Sequence, residues 1–166
     1  MAKYTLETDY DFNFILFAIS CHEPDYKLCY SLNQVLNIGL IREGDVELKN
    51  KKQEDNLLFS FYAFEDESDY IEYNLISNKS YNSSKTIANE KSNQGDLFGE
   101  TDSSANAQKG YLVPELNNAD FLLIMRTDYD ADLTEEIESK IKQLSFVLKV
   151  QVIDVEDLAS KKNLIV

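Results

Sequence analysis

The sequence has few of the residues on which disulfide-rich and metal-bound domains depend. Its 166 residues include two cysteines, Cys21 and Cys29, one histidine, two prolines, five glycines and no tryptophan. Two cysteines are too few for a disulfide framework, and a chain of this length buries about 70% of its unfolded surface without one. The composition therefore predicts one globular domain over residues 1–166, with both thiols reduced.

Basic residues are also scarce. The chain has 16 Lys and Arg against 30 Asp and Glu, which gives a net charge of −14 and a pI near 4.4. The negative electrostatic field of such a chain repels phosphate backbones and anionic lipid, so we expect no direct nucleic-acid partner and no membrane partner. The field favours a protein partner with a basic contact surface.

Long apolar runs are absent. The run from Phe14 to Ile19 is too short for a signal-peptide core or a membrane span, and the first twelve residues, MAKYTLETDYDF, are too acidic for a signal peptide. We therefore expect a cytoplasmic location.

The periodicity of the apolar residues predicts an α+β fold. Two stripes at helical spacing indicate one helix after Pro24, ended by Asn37 and Gly39, and a second that begins near Asp132. Their apolar faces comprise Leu28, Leu32, Val35 and Leu36 in the first, and Leu133, Ile137, Ile141 and Leu144 in the second. Apolar runs and alternating patterns indicate strands at Phe12–Ser20, 40–49, 57–64, 71–75, Phe121–Met125 and 146–152.

The element order is thus β-α-β-β-β-loop-β-α-β. It predicts a two-layer domain in which a largely antiparallel sheet of about six strands carries both helices on one face. Both faces of the predicted hairpin carry aromatic residues, because Tyr62, Phe64 and Tyr70 lie opposite Phe59 and Phe61. One face must meet the helices, and we expect the other to be covered either by the N-terminal segment or by a second copy of the chain in a homodimer.

A polar segment interrupts this pattern at residues 80–110. It is rich in Ser, Asn, Gly and Lys and has no apolar period, so it predicts a disordered loop. Within it, Gln94, Gly95, Asp96, Leu97 and Phe98 resemble the pentapeptide with which bacterial proteins bind the replication sliding clamp. In that interpretation Leu97 and Phe98 are the apolar anchors. In the alternative interpretation they hold the loop against its own domain.

The segment after the loop resembles a family signature. Val113-Pro114-Glu115-Leu116-Asn117-Asn118-Ala119-Asp120-Phe121 is similar to the signature of the bacterial IPExxxVDY family. The spacing is identical, and Val113, Ala119 and Phe121 are conservative departures. The phrase YKLCYSLN at residues 26–33 is similar to the first helix of that family. The resemblance implies a small domain of unknown function with no catalytic residues to assign.

Two interpretations apply to the carboxylates of this segment. Glu115 and Asp120 either accept backbone N–H groups at the start of the strand, or form a paired-carboxylate site in a small enzyme. No base, nucleophile or metal ligand accompanies them in sequence.

The remaining candidate constellations predict no metal, cofactor or catalytic residue. Cys21, His22 and Cys29 lack zinc-ligand spacing. Asp128, Asp130 and Asp132 begin like a calcium loop, but Leu133 and Ser139 replace its essential glycine and glutamate. The sequence therefore favours a non-enzymatic protein-binding module, with a clamp-associated protein and a small carboxylate enzyme as the alternatives.

Overall fold

Six strands and two helices follow one another in the predicted order. The computed structural model describes residues 12–49, 56–81, 110–127 and 131–166. The elements are β1 (Ile15–Cys21), α1 (Asp25–Leu36), β2 (Ile41–Leu48), β3 (Leu57–Asp66), β4 (Ile71–Ser77), β5 (Phe121–Arg126), α2 (Ala131–Lys142) and β6 (Val147–Ile153). Three short 3-10 turns span Pro114–Leu116, Val155–Asp157 and Lys161–Leu164.

The strands form one sheet in the order β2-β3-β4-β5-β1-β6, and each neighbouring pair is antiparallel. β1 and β5 lie inside the sheet, which explains their continuous apolar sequences, because residues on both faces of a central strand are buried. The outermost strands are β2 and β6. The α+β class and the six-stranded antiparallel sheet are therefore confirmed.

Both helices cover the same face of the sheet, as predicted. The chain enters α1 through Pro24, whose fixed φ suits a helix start, and leaves at Asn37 in the left-handed conformation with φ of 55°. Leu28 and Leu32 of α1 are fully buried, and Ile137 and Ile141 of α2 pack into the same core. Each such side chain contributes about 2 kcal/mol on burial.

The second face of the sheet is covered by segments without a regular helix. Its core contains Phe59 and Ile76 from the sheet, Leu112 from the segment before β5, and Val155 and Leu164 from the C-terminal segment. The cover that the structure describes is thus residues 112–119 and 155–164. The sequence pattern had pointed to the N-terminal segment or a second copy, and it left the C-terminus unassigned.

The aromatic residues of β3 divide between the two faces as their alternation predicts. Tyr62 and Phe64 belong to the helix-side core, whereas Phe59 and Phe61 belong to the opposite core. Tyr70 lies on neither face. It is highly exposed in the turn between β3 and β4.

Three boundaries differ from the sequence expectation for local reasons. β1 begins at Ile15, because the N–H of Phe14 donates to the carbonyl of Phe12 in a turn rather than to a neighbouring strand. β6 begins at Val147, whose N–H donates to Leu144 and closes the preceding turn. α2 already includes Asp132 in its first turn, where a carboxylate is favoured by the helix dipole.

The long polar loop leaves and returns at one point. The N–H of Ser80 donates to the carbonyl of Gly110 at 2.9 Å, the N–H of Gly110 donates to Ser80 Oγ at 3.2 Å, and Lys79 pairs with Tyr111. A Cβ at Gly110 would lie 2.3 Å from Leu57 Cδ1, so any other residue there would displace the Leu57 side chain. Residues 82–109, with the predicted disorder, lie outside the described residues. No helix in the described part of the chain is long and apolar enough to cross a membrane.

Candidate functional site

A fully buried asparagine organises the signature-like segment. Asn78 Oδ1 accepts from the N–H of Val113 at 2.9 Å. Asn78 Nδ2 donates to the carbonyls of Leu116 at 2.8 Å, Ala119 at 3.1 Å and Val113 at 3.4 Å. One amide side chain thus forms four hydrogen bonds with backbone groups of this turn. The turn contains the 3-10 helix Pro114–Leu116.

The backbone of Asn78 fixes the same segment at both ends. Its N–H donates to the carbonyl of Asp120 at 2.8 Å, and its carbonyl accepts from the N–H of Leu112 at 2.9 Å. Nothing in the sequence distinguished Asn78 from the other asparagines, because its importance comes from a partner 35 to 41 residues away.

Glu115 attaches the C-terminal segment to this turn. Its Oε1 accepts from the N–H of Ser160 at 2.8 Å, immediately before the last 3-10 turn. Desolvation opposes ionisation of Glu115, but backbone hydrogen bonds from Glu115 itself, Ser160 and Ala159 and the Ser160 hydroxyl outweigh it, so the pKa of the carboxyl is lower than its ordinary value.

Asp120 connects the turn to the end of β1. Its Oδ2 accepts from the N–H of Cys21 at 2.9 Å, its Oδ1 forms an ion pair with Lys79, and its own N–H donates to the carbonyl of Ile19 at 2.9 Å. Beside it, Ser20 Oγ donates to the carbonyl of Asn118 at 2.6 Å. Both carboxylates accept backbone N–H groups, and they do so on different elements of the fold.

The apolar residues of the signature-like segment pack into the two cores. Val113 and Ala119 are buried in the core on the side without helices, whereas Phe121 is buried beneath the helices. Pro114 is exposed at the start of the turn and fixes its backbone. The segment thus joins the two faces of the domain.

The two cysteines lack the partly exposed, electropositive surroundings of a reactive thiol. Both are buried and neither forms a disulfide. Burial is the main reason that the pKa of each thiol is raised, and nearby carboxylates add to it, Asp120 and Glu23 for Cys21 and Asp25 for Cys29. Within residues 12–49, 56–81, 110–127 and 131–166, no group of three or more His, Cys, Asp or Glu side chains could hold a metal ion.

A cleft of about 420 Å³ lies beside the first turn of α1. Ser60 and Ser77 line it together with Pro24, Asp25, Arg42, Lys79, Tyr81 and Phe121. Its polar groups are already paired with one another: Ser77 Oγ accepts from the N–H of Ser60 at 3.1 Å, and Arg42 forms ion pairs with Asp45 and, at 3.6 Å, with Asp25. Both cations of the cleft are therefore ion-paired with carboxylates, Arg42 with Asp25 and Asp45, and Lys79 with Asp120.

The two edges of the sheet differ in character. β2 has four charged residues, Arg42, Glu43, Asp45 and Glu47, and a bulge at Gly44, where φ is 150°. β6 has one charged residue, Lys149, and exposes Leu148 (65%) and Val152 (45%). Charges and bulges are the usual protection of an edge strand against pairing. Both edge strands have a bulge, β6 at Leu148 between the pairs Ser20–Lys149 and Cys21–Val147, so the two edges differ in their charges.

The fold and these contacts define an α+β domain without a recognisable catalytic constellation in its described residues. The chain matches no protein-family model, no curated protein and no solved structure. The partner-binding residues predicted in the loop, Gln94, Asp96, Leu97 and Phe98, lie outside the described residues.

Replacing Asn78 by Ala should lower the free energy of unfolding by about 2–4 kcal/mol, because buried groups such as the N–H of Val113 lose their partner. Urea unfolding would measure the loss. The matched control, Asn118→Ala, removes an exposed amide of the same turn and should stay within about 0.5 kcal/mol of the wild type. A loss below about 1 kcal/mol for Asn78→Ala would contradict the role given to this side chain.

Glu115→Gln should lower the thermal midpoint at neutral pH, because the ionised carboxyl accepts the backbone bonds of the C-terminal segment. The pKa of Glu115 is lowered on folding, so its contribution is fully present above the ordinary value of about 4.3 and disappears as pH falls through the lower folded value. Melting curves from neutral to acidic pH should therefore converge for the two proteins. Glu67→Gln, in the exposed turn after β3, is the control, and a pH-independent difference for Glu115→Gln would reject this linkage.

Proposed function

We propose that the protein is a non-enzymatic protein-binding module that receives an extended polypeptide segment along its edge strand β6. The observation that carries the proposal is the difference between the two sheet edges. β2 contains three acidic residues, whereas β6 exposes Leu148 and Val152 and contains none.

The backbone of β6 supplies the first part of the binding site. In the described part of the chain, β6 pairs with β1 on one side only, over the registers from Leu16–Ile153 to Cys21–Val147. A strand of seven residues therefore has N–H and C=O groups directed away from the sheet. An added strand would satisfy them, and main-chain bonds of this kind supply affinity without requiring a particular sequence.

The side chains of β6 supply the second part. Leu148 and Val152 offer apolar contact at the two ends of the strand, and Lys149 is the one charge between them. The net charge of −14 still acts at longer range, where it speeds the approach of a basic partner. The edge itself selects for apolar side chains rather than for charge.

The contacts of the two signature carboxylates support a binding module over an enzyme. Glu115 accepts from Ser160 on the C-terminal segment, whereas Asp120 accepts from Cys21 and pairs with Lys79. Each carboxylate therefore has a structural task on a different element. A paired-carboxylate enzyme would need the two groups to face one cavity.

A photo-crosslinking amino acid placed at Val152 should yield discrete protein adducts in the source cell, because the side chain is exposed on the edge strand without acidic residues. The matched control is the same residue at Ile41 on β2, which is 61% exposed but lies on the charged edge. Mass spectrometry would identify the adducts. Adducts of equal yield and identity from both positions would contradict a binding role specific to β6.

We propose the clamp-associated protein as a second candidate, favoured by the closed base of the loop. The bonds between Ser80 and Gly110 hold the two ends of the insertion together, so the insertion whose sequence includes Gln94–Phe98 begins and ends at one point of the domain. A short linear peptide presented in this way can enter an apolar pocket without rearranging the domain that carries it.

Leu97→Ala together with Phe98→Ala should abolish binding to the cognate sliding clamp and leave the thermal midpoint unchanged. The two apolar anchors supply about 3–6 kcal/mol before the cost of ordering the peptide, so we expect a micromolar dissociation constant for the wild type. Calorimetric titration would measure it. A lowered thermal midpoint in the double variant, without clamp binding by the wild type at about 100 μM, would favour contact of these side chains with their own domain.

A further inference from the structure

A second cleft, of about 310 Å³, lies where β3 extends beyond its neighbour β2. The pairing of β2 with β3 ends at Ile41 and Ala63, whereas the pairing of β3 with β4 continues to Asp66. Before β2 begins, Gly39 brings the chain against β3, because a Cβ at Gly39 would lie 3.2 Å from the ring of Phe64. The step between the two strands therefore forms a concave site at this corner of the sheet.

The lining of this cleft combines apolar and acidic side chains, and none of the described residues that line it is basic. The apolar members are Ile41, Ala63 and Phe64, and the acidic members are Glu43, Glu65 and Glu72. The neighbouring Arg42 is ion-paired with Asp25 and Asp45, which do not line the cleft. The volume is at the lower end of the range of about 300–1,000 Å³ for ligand sites, so it suits one long side chain.

Two of the three carboxylates oppose each other across the strands. Glu65 of β3 lies opposite Glu72 of β4, and like charges in direct opposition are destabilising. Arg126 contacts Glu72 at 2.8 Å, whereas Glu65 is exposed at the cleft. Glu43 is the extra residue in the bulge of β2, a feature that re-aims a side chain. A cation in the cleft would supply the attraction that these carboxylates lack.

A buried amide beside the cleft has an unused acceptor. Asn74 is 1% exposed, lies opposite Ala63 in the strand register, and donates through Nδ2 to Glu72 Oε1 at 2.5 Å. Its Oδ1 has no hydrogen-bond partner in the part of the chain that the structure describes. Ala63 and Glu72 both line the cleft. Because an unpaired buried acceptor is costly, a ligand that brings N–H donors between these two residues gains by completing it.

We propose that this cleft binds an arginine side chain of a basic protein partner. The planar guanidinium carries five N–H donors for the carboxylates and Asn74 Oδ1, whereas the ammonium of lysine carries three. The aliphatic stem of the arginine contacts Ile41 and Ala63, and the net charge of −14 draws a basic partner to the protein. This site is separate from the one proposed on β6, because β2 and β6 are the opposite edges of the sheet, about 24 Å apart.

Titration of the full chain with N-acetyl-argininamide, followed by nuclear magnetic resonance, tests the site. The backbone amides of Gly39, Ile41 and Glu65 and the side-chain amide of Asn74 should shift together. We expect a dissociation constant of about 1–10 mM at low salt, because exposed ion pairs supply modest affinity, and weaker binding as salt rises. N-acetyl-citrullinamide keeps the stem without the charge and should bind at least about tenfold more weakly.

Two double variants with the same change in net charge locate the binding. Glu43→Gln with Glu65→Gln should weaken N-acetyl-argininamide at least about fivefold. The thermal midpoint of this variant should equal or exceed that of the wild type, because the opposition of Glu65 to Glu72 is removed. The matched control is Glu135→Gln with Asp157→Asn, which neutralises two exposed carboxylates outside the cleft and should bind like the wild type.

The contrary outcomes are distinct from a failure of the proposed function. Absence of shifts at these amides with about 50 mM N-acetyl-argininamide overturns the site. Equal binding of the citrulline analogue overturns the need for a cation, and equal weakening in both double variants shows that the probe senses net charge alone, which also overturns the site. Crosslinked adducts at Val152 would still support the β6 edge after any of these results. Adducts at Ile41, within the cleft, should differ from them in identity.

Discussion

The buried amide of Asn78 is the interaction on which the arrangement of this domain depends. Its side chain bonds to Val113, Leu116 and Ala119, and its backbone bonds to Leu112 and Asp120. An unpaired polar group in the core is costly, so these bonds leave the turn little alternative to its observed shape. The segment between the loop and β5 is therefore positioned by a residue at the end of β4.

Other parts of the fold follow from that position. The turn places Glu115 against Ser160, which holds the C-terminal segment over the second face of the sheet. It also places Asp120 against Cys21 and Lys79, which ties β5 to the end of β1 and to the base of the loop. Three regions far apart in sequence thus meet around one asparagine, and the sheet face without helices gains its cover.

A consequence of this cover is that both faces of the sheet are buried within the chain, whereas no described strand pairs with the outer side of β2 or β6. Leu112, Val155 and Leu164 occupy the face on which a homodimer had been one expectation. The apolar residues that remain exposed near a sheet boundary include Leu148 and Val152 on β6. Association through the sheet is therefore easier to build at this edge than on a face, because edge groups are the ones without a strand beside them.

The amino-acid sequence by itself determined the elements of this protein, because their signals are local. Helical spacing at Leu28 and Leu32, and alternation through Phe59 and Tyr62, predicted the helices, the strands and the placement of Phe59 and Tyr62 on opposite faces. The backbone-bonding interpretation of Glu115 and Asp120 also agrees with their contacts.

The tertiary structure alone decided the strand order, the two unequal edges, the cover of the second face and the role of Asn78. Each depends on pairing between distant residues, such as Asn78 with Val113 and Ala119, and no local pattern encodes which distant groups will meet. The continuous apolar sequences of β1 and β5 indicate strands buried on both faces, but they do not say which strands lie beside them. Only the completed ladder of backbone hydrogen bonds decides that order.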